Sequence, residues 1–439
     1  MTKSFVWGSC AVALAAVGGL ASSRSPILTF VALAGFFAFM VVSHNRPATT
    51  VVLFPLTFIP FAMNAFGKLV GPSDILLILL GGTLLLEWAS GRQHGSLLGS
   101  LSVPAIGFVA WTAASAVWAA HPHAVLGESL QRAAFVGLGI AVIHTLPTDG
   151  RVVRRGLVAM VGIAAVMGAT ETVVAVATRT YLHVYGLGIN KNWYGFVLTF
   201  GIVVLAALAF DRLQDVGVRW LVPLVPMVTG LAVSGSRGGW IGTLVGVTVV
   251  VVFHRPAFAW PAITAAVLAI ALLFVAAPQL TTKKIDTSTA DTSAGMRLRT
   301  WSDGIDAVKQ HPLLGEGAGN FLAVVKDRGS QIDPNNLILL TWAETGIFGL
   351  MFLGWLFAAA LRMAARNART LTGTAALANT AGAAVFVSSV AHAQFDMFWT
   401  RGVALLTFMG IGLVLWANRQ VKQPSARELH RSLIQLGAP

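Results

Sequence analysis

Charged residues are scarce in this chain: Asp, Glu, Lys and Arg make up 11% of the 439 residues, against about 25% in an ordinary soluble domain. So few charges cannot cover a water-facing surface, which excludes a soluble globular fold. Cysteine is nearly absent as well. The single Cys10 excludes an internal disulfide framework and says nothing about redox compartment. Period-two alternation of apolar and polar residues is missing, so a transmembrane β-barrel is not expected. There is no P-loop and no glycine-rich dinucleotide fingerprint. Among the ten histidines His121 and His123 form the only close pair. No carboxylate cluster of ligand spacing accompanies them, so neither a metal nor a cofactor is expected.

What the chain has is apolar length. Hydrophobic residues make up 56% of it, the mean hydropathy is +0.76, and apolar runs of roughly 17 to 23 residues recur, enough to cross a hydrocarbon core as helices. The expected fold is an all-α polytopic membrane protein with about 12–14 transmembrane helices. Spans are expected near 5–22, 27–43, 50–66, 73–88, 102–119, 132–147, 156–178, 193–210, 219–235, 239–254, 258–277, 336–363, 371–392 and 399–417. Lys3 followed by Phe5 to Ala21 resembles a signal peptide. Ser22-Ser23-Arg24-Ser25 lacks a small-x-small cleavage site, however, so the run is read as the first span. The organisation is then a bundle over 1–277, one long polar connection over 278–335, further spans over 336–417 and a basic tail over 418–439, whose "SARELHRSLIQL" is a weak amphipathic pattern suited to the anionic inner leaflet. No internal repeat is evident.

Lys and Arg exceed Asp and Glu by 30 to 17, a formal charge of +13. In a membrane protein the placement of this excess is informative, and no nucleic-acid partner is expected. With the N-terminus inside, most Lys and Arg of the short connections fall on the inner side, so both termini are expected in the cytoplasm and 278–335 outside. Within that outer segment Met296 to Gln310 has the Trp301/Ile305/Val308 spacing of a short amphipathic helix, stopped by Pro312 and by Gly315, Gly317 and Gly319.

Several polar residues gather at the outer ends of spans: Lys191 and Asn192 in "GINKNWYG", Arg237 in "SGSRGGW", and Arg297 with Arg299 in the loop helix. Taken alone, Lys191, Arg297 and Arg299 read as interfacial or solvated side chains, and Arg237 is the informative one. Together they form a candidate anion site, with Arg237 flanked by glycines that let a ligand approach and carrying a planar fork suited to phosphate. Glu171, inside a span, is either part of a proton relay or a helix-to-helix hydrogen bond. Asp396 and Arg401 flank the last outer connection and are expected to pair.

The blocks "NKN" at 190–192, "SGSRGGW" at 234–240, "MRLRTWSDGIDAVKQHPLLGEGAGNF" at 296–321 and "PNNLILLTWAETGIFGL" at 334–350 resemble, in that order, the O-antigen ligase and O-antigen polymerase superfamily. The resemblance covers roughly the last 250 residues. It implies an inverting, metal-independent glycosyltransferase in the bacterial inner membrane, with its site facing the periplasm. Its donor would be a polysaccharide on undecaprenyl diphosphate and its acceptor a lipid A-core oligosaccharide. By the same resemblance Arg237 and Arg297 hold the diphosphate, helped by Arg299, Lys191 and Asn192. The family commonly has a histidine before the asparagine that precedes the "L…AETG…GL" helix, and that histidine is thought to act as base. Here that position is Asn335, followed by Asn336, and an amide cannot accept the proton. Three explanations stand: an inactivating substitution, Asp333 or another nearby acid as the base, or a branch that works by positioning alone. Glu344, two and a half turns further on, suits helix packing or a cationic partner better than proton transfer. A polymerase with the same donor is the alternative function, and a transporter a less favoured one.

Overall fold

The computed structural model describes residues 35, 38–59, 63–65, 68–178, 191–211, 219, 221–280, 293–325, 333–396, 399 and 403–421. Among them the chain is helical apart from one hairpin. Short helix α1 (Arg46–Leu56) is capped by the Asn45 side chain. It is followed by β1 (Met63–Ala65) and β2 (Lys68–Val70), antiparallel with Asn64 opposite Leu69. Then come α2 (Pro72–Ala89), α3 (Ser102–Ala114), α4 (Pro122–Arg132), α5 (Gly139–His144), α6 (Arg151–Thr178), α7 (Lys191–Asp211), α8 (Leu221–Ser234), α9 (Arg237–His254), α10 (Ala259–Leu280), α11 (Ser293–Gln310), α12 (Phe321–Val325), α13 (Leu337–Asn367), α14 (Gly373–His392) and α15 (Val403–Val421).

Nine helices among the described residues are long and apolar enough to cross a membrane. This agrees with a polytopic all-α protein and falls below the expected number of spans for identifiable reasons. The run expected at 5–22 and most of that at 27–43 lie outside the described residues, as does the tail after 421, and the apolar helices Val222–Ser234 and Pro256–Ala269, where spans were expected at 219–235 and 258–277, are shorter than a crossing among the described residues. The span expected at 50–66 is instead an 11-residue helix, with Pro55 in its last turn, leading into the hairpin. The span expected from 132 begins at Pro122: a π-helical turn, Ala133–Leu138, joins α4 to α5 into one crossing, Pro122–His144. Hydrophobicity alone placed that start too late because α4 carries polar residues that the fold buries, Glu128, Ser129 and Arg132.

Helices α7 and α15 are predominantly apolar and largely buried among their neighbours. Against them lie α14, α9 and α6. Lipid supplies no hydrophobic drive between helices, so close packing has to hold them together. At the α14–α15 crossing Gly382 and Gly410 face each other: a methyl group on either would lie 2.5 or 2.8 Å from the other's carbonyl oxygen.

Helix α11 forms from Ser293 onward, and its buried face differs from the expected one. Thr300, Asp303, Gly304 and Ala307 are buried, whereas Ile305 is exposed. Small residues decide the rotation. Gly304 lets α11 approach Leu339 of α13 so closely that a methyl group there would lie 2.8 Å from its side chain, and apolar periodicity does not record close approach.

Candidate functional site

Helix α13 is 31 residues long but is not one continuous helix, because Gly346 breaks it with φ 65° and ψ −173°. A left-handed φ of this kind suits glycine. A methyl group at Gly346 would also fall 2.0 Å from the Leu313 carbonyl oxygen. The break exposes backbone groups that "PLLGEGAGN" satisfies. Glu316 N donates to Ala343 O at 2.8 Å, Gly317 N to Glu344 O at 2.9 Å, and Ile347 N to Pro312 O at 3.0 Å. Indole groups reinforce the joint: Trp342 Nε1 donates to Pro312 O and Trp111 Nε1 to Thr345 O. The two blocks that looked like separate motifs in the sequence are therefore halves of one interlocked backbone.

Glu344 is at the centre of this joint. Its Oε2 accepts from Arg132 Nη2 at 2.5 Å and its Oε1 from Gly319 N at 2.9 Å. Arg132 is completely buried, with Glu128 at 3.7 Å and the Trp399 ring 4.9 Å from its guanidinium carbon. The cationic partner of Glu344 is thus an arginine 212 residues away, and the sequence reading did not single it out. His121 contributes only backbone: its N–H donates to Asn320 Oδ1 at 2.7 Å.

The cations of the expected anion site converge. Lys191 begins α7 and Arg237 begins α9, while Arg297 is on α11. Lys191 lies within electrostatic range of Arg297, Arg237 and Asp396. Burial holds the Arg297 guanidinium below the usual arginine range; Asp396 raises it and Arg237 lowers it further. Its Nε–H is buried and donates to no partner among the described residues. Two indole N–H groups, Trp193 beside Asn192 and Trp301 one turn beyond Arg297, are likewise buried and unpartnered there. Arg299 is exposed on the same helix. The glycines around Arg237 turn out to serve packing first: Gly239 faces Gly195 of α7, where a methyl group would lie 3.0 Å from its carbonyl oxygen. The Ser236 hydroxyl caps α9 by accepting from Gly239 N.

Beside this cluster is the start of α13. Asn336 is its N-cap, accepting from Leu339 N at 2.9 Å, and Leu337 N donates to Ala393 O at 2.9 Å. Asn335 Oδ1 is buried with no partner among the described residues. Asp333 is half-buried and within electrostatic range of Glu344. Arg401 falls outside the described residues. Asp396, its expected partner, places Oδ2 3.5 Å from His392 Nε2, a histidine the sequence reading passed over. Glu171 is fully buried in α6, and neither of its carboxylate oxygens has a hydrogen-bond partner among the described residues. Near the other end of α13, Arg362, Arg366 and Arg369 line a cavity of about 520 Å³ with Ser100. Among the described residues no group of three or more His, Cys, Asp or Glu side chains is placed to hold a metal ion.

Such a cluster of cations at a membrane edge, with unsatisfied donors on two of its helices, is suited to bind a multiply charged anion. The family model described as O-antigen ligase matches residues 222–354. No curated protein matches the chain.

Proposed function

We propose that this chain, whose residues 222–354 match the family model described as O-antigen ligase, is a glycosyltransferase. It moves a polysaccharide from undecaprenyl diphosphate to a lipid A-core oligosaccharide during lipopolysaccharide synthesis. The observation that carries this reading is the meeting of Lys191, Arg237 and Arg297 from three helices at one end of the bundle. As the anomeric bond breaks, negative charge builds on the departing diphosphate, and preorganised cations stabilise that charge more than the bound donor's. The two arginines supply planar forks, while Lys191, Arg299 and Asn192 assist. The acceptor attacks from the opposite face of the sugar, so the configuration inverts, and no metal takes part.

Deleting the gene and resolving the envelope polysaccharide on a gel tests the assignment. Bare core together with unligated carrier-linked polymer is the expected pattern. Core bearing a single repeat unit would make the enzyme a polymerase instead. In a purified reaction EDTA should leave transfer intact, and a loss restored by Mg²⁺ would refute the metal-free mechanism.

In this reading the protein is in the inner membrane with both termini cytoplasmic and the cation cluster facing the periplasm. The orientation draws support from Arg362, Arg366 and Arg369 at the opposite end of α13, since short connections on the inner side are rich in arginine. His311 follows α11 at an exposed position. In a Cys10→Ser background, His311→Cys should react with a membrane-impermeant thiol reagent in intact spheroplasts. Labelling seen only after lysis would invert the topology.

A further inference from the structure

We propose that His392, paired with Asp396, accepts the proton of the acceptor hydroxyl, the task that Asn335 cannot perform. The proposal rests on the glycosyl-transfer reading above and names the base of that site. His392 ends α14, and the strand of backbone that follows it is bonded to the start of α13: Ala393 O accepts from Leu337 N at 2.9 Å and Gln394 O from Asn336 Nδ2 at 3.5 Å. The histidine and Asn335 therefore belong to one edge of the site. On its other side the ring packs against Gly238, where a methyl group would lie 3.5 Å from both Cε1 and Nε2. That places the imidazole one residue from Arg237. Phe196 meets it edge-on, with ring centroids 5.8 Å apart.

The chemistry of the pair fits the task. His392 is only 3% exposed, and a buried imidazole is normally hydrogen-bonded at both nitrogens. Here Nε2 faces Asp396 Oδ2 at 3.5 Å, while Nδ1 has no partner among the described residues. A carboxylate beside Nε2 favours the tautomer with the proton there, which leaves the Nδ1 lone pair to accept a second one. The same carboxylate stabilises the imidazolium once it forms. Asp396 faces the ring, and Arg237 adjoins the Gly238 that the ring packs against. In the step itself the acceptor O–H bond breaks and its proton goes to His392 Nδ1. The oxygen bonds to the anomeric carbon, and the bond from that carbon to the diphosphate oxygen breaks. Its electron pair leaves on the diphosphate, held by Arg237 and Arg297.

The test is a transfer assay on the purified full chain, with a polyprenyl-diphosphate-linked glycan as donor and lipid A-core as acceptor. His392→Gln should lower the rate about 10² to 10⁴-fold, the usual contribution of a positioned general base, with donor KM nearly unchanged. It should also abolish the acidic limb of the pH–rate profile. Adding Asn335→His to that variant should recover at least about tenfold, because an imidazole is restored at the same edge of the site. Asp396→Asn, a milder change, should shift the acidic limb without removing it, which guards against His392→Gln merely misfolding. A His392→Gln rate within a few-fold of wild type overturns the proposal. So does a loss that keeps the acidic limb and gains nothing from Asn335→His, since that marks a structural histidine. If Asp333→Asn silences transfer while His392→Gln does not, the base is Asp333. Arg297→Ala separates the two levels: transfer that needs Arg297 but not His392 refutes only this assignment, and no transfer by the wild-type chain refutes the functional reading and this proposal with it.

Discussion

Arg297→Ala should slow transfer by roughly 30- to 4,000-fold at matched membrane expression. Removing one partner of a buried charge-assisted contact costs about 2–5 kcal/mol, at about 1.4 kcal/mol per tenfold. Arg297 is the stronger case of the two arginines because its Nε is buried and unpartnered, so the protein has already borne the cost of desolvating a donor that a diphosphate would satisfy. Arg237→Ala should have an effect of the same order, being next to the packed Gly238–Gly239 start of α9. The two losses should be less than additive, since both groups hold one leaving group. Lysine should not fully rescue either position: an ammonium is a point charge and cannot offer two parallel donors. Near-normal rates for both alanine variants would remove the diphosphate assignment.

The second large effect is on stability. Glu344→Ala leaves the fully buried Arg132 with Glu128 at 3.7 Å and takes the acceptor from Gly319 N. Breaking a buried ion pair on one side typically costs about 3–5 kcal/mol because a desolvated charge is left uncompensated. The unfolding midpoint in detergent should fall sharply, and the folded yield with it. Arg132→Met/Glu344→Leu, which removes both charges and keeps apolar volume, should be less destabilised than the two single changes together. Transfer per folded molecule should survive in these variants better than in Arg297→Ala. Loss of transfer at unchanged stability would mean that Glu344 has a chemical role instead.

The opening of the "AETG" helix illustrates how much of the site could be read beforehand. Asn336 followed by an apolar run is a cap that the sequence announces, because a short amide side chain bonding to the next turn is a local interaction. Gly346 is not announced in the same way. A glycine in a helical pattern is usually tolerated as helix, and only the ribbon from Pro312 to Gly319, which occupies the freed backbone groups, makes a break there favourable. The misplaced face of α11 has the same origin: Gly304 and Ala307 are weak entries in any apolar periodicity but decide how closely two helices can pack.

By itself the sequence determined that the protein crosses a membrane many times as helices, that cations gather at the ends of several spans, and which four blocks resemble a known superfamily. These follow from run length, charge and local spacing, which are properties of neighbours along the chain. Only the tertiary structure decided which of them meet. It brought Lys191, Arg237, Arg297 and Asp396 together, paired Glu344 with Arg132, and set His392 between Gly238 and Asp396. Such contacts arise where the small residues of one helix admit the side chains of another, and a buried ionisable group is stable only if that packing also delivers its partner.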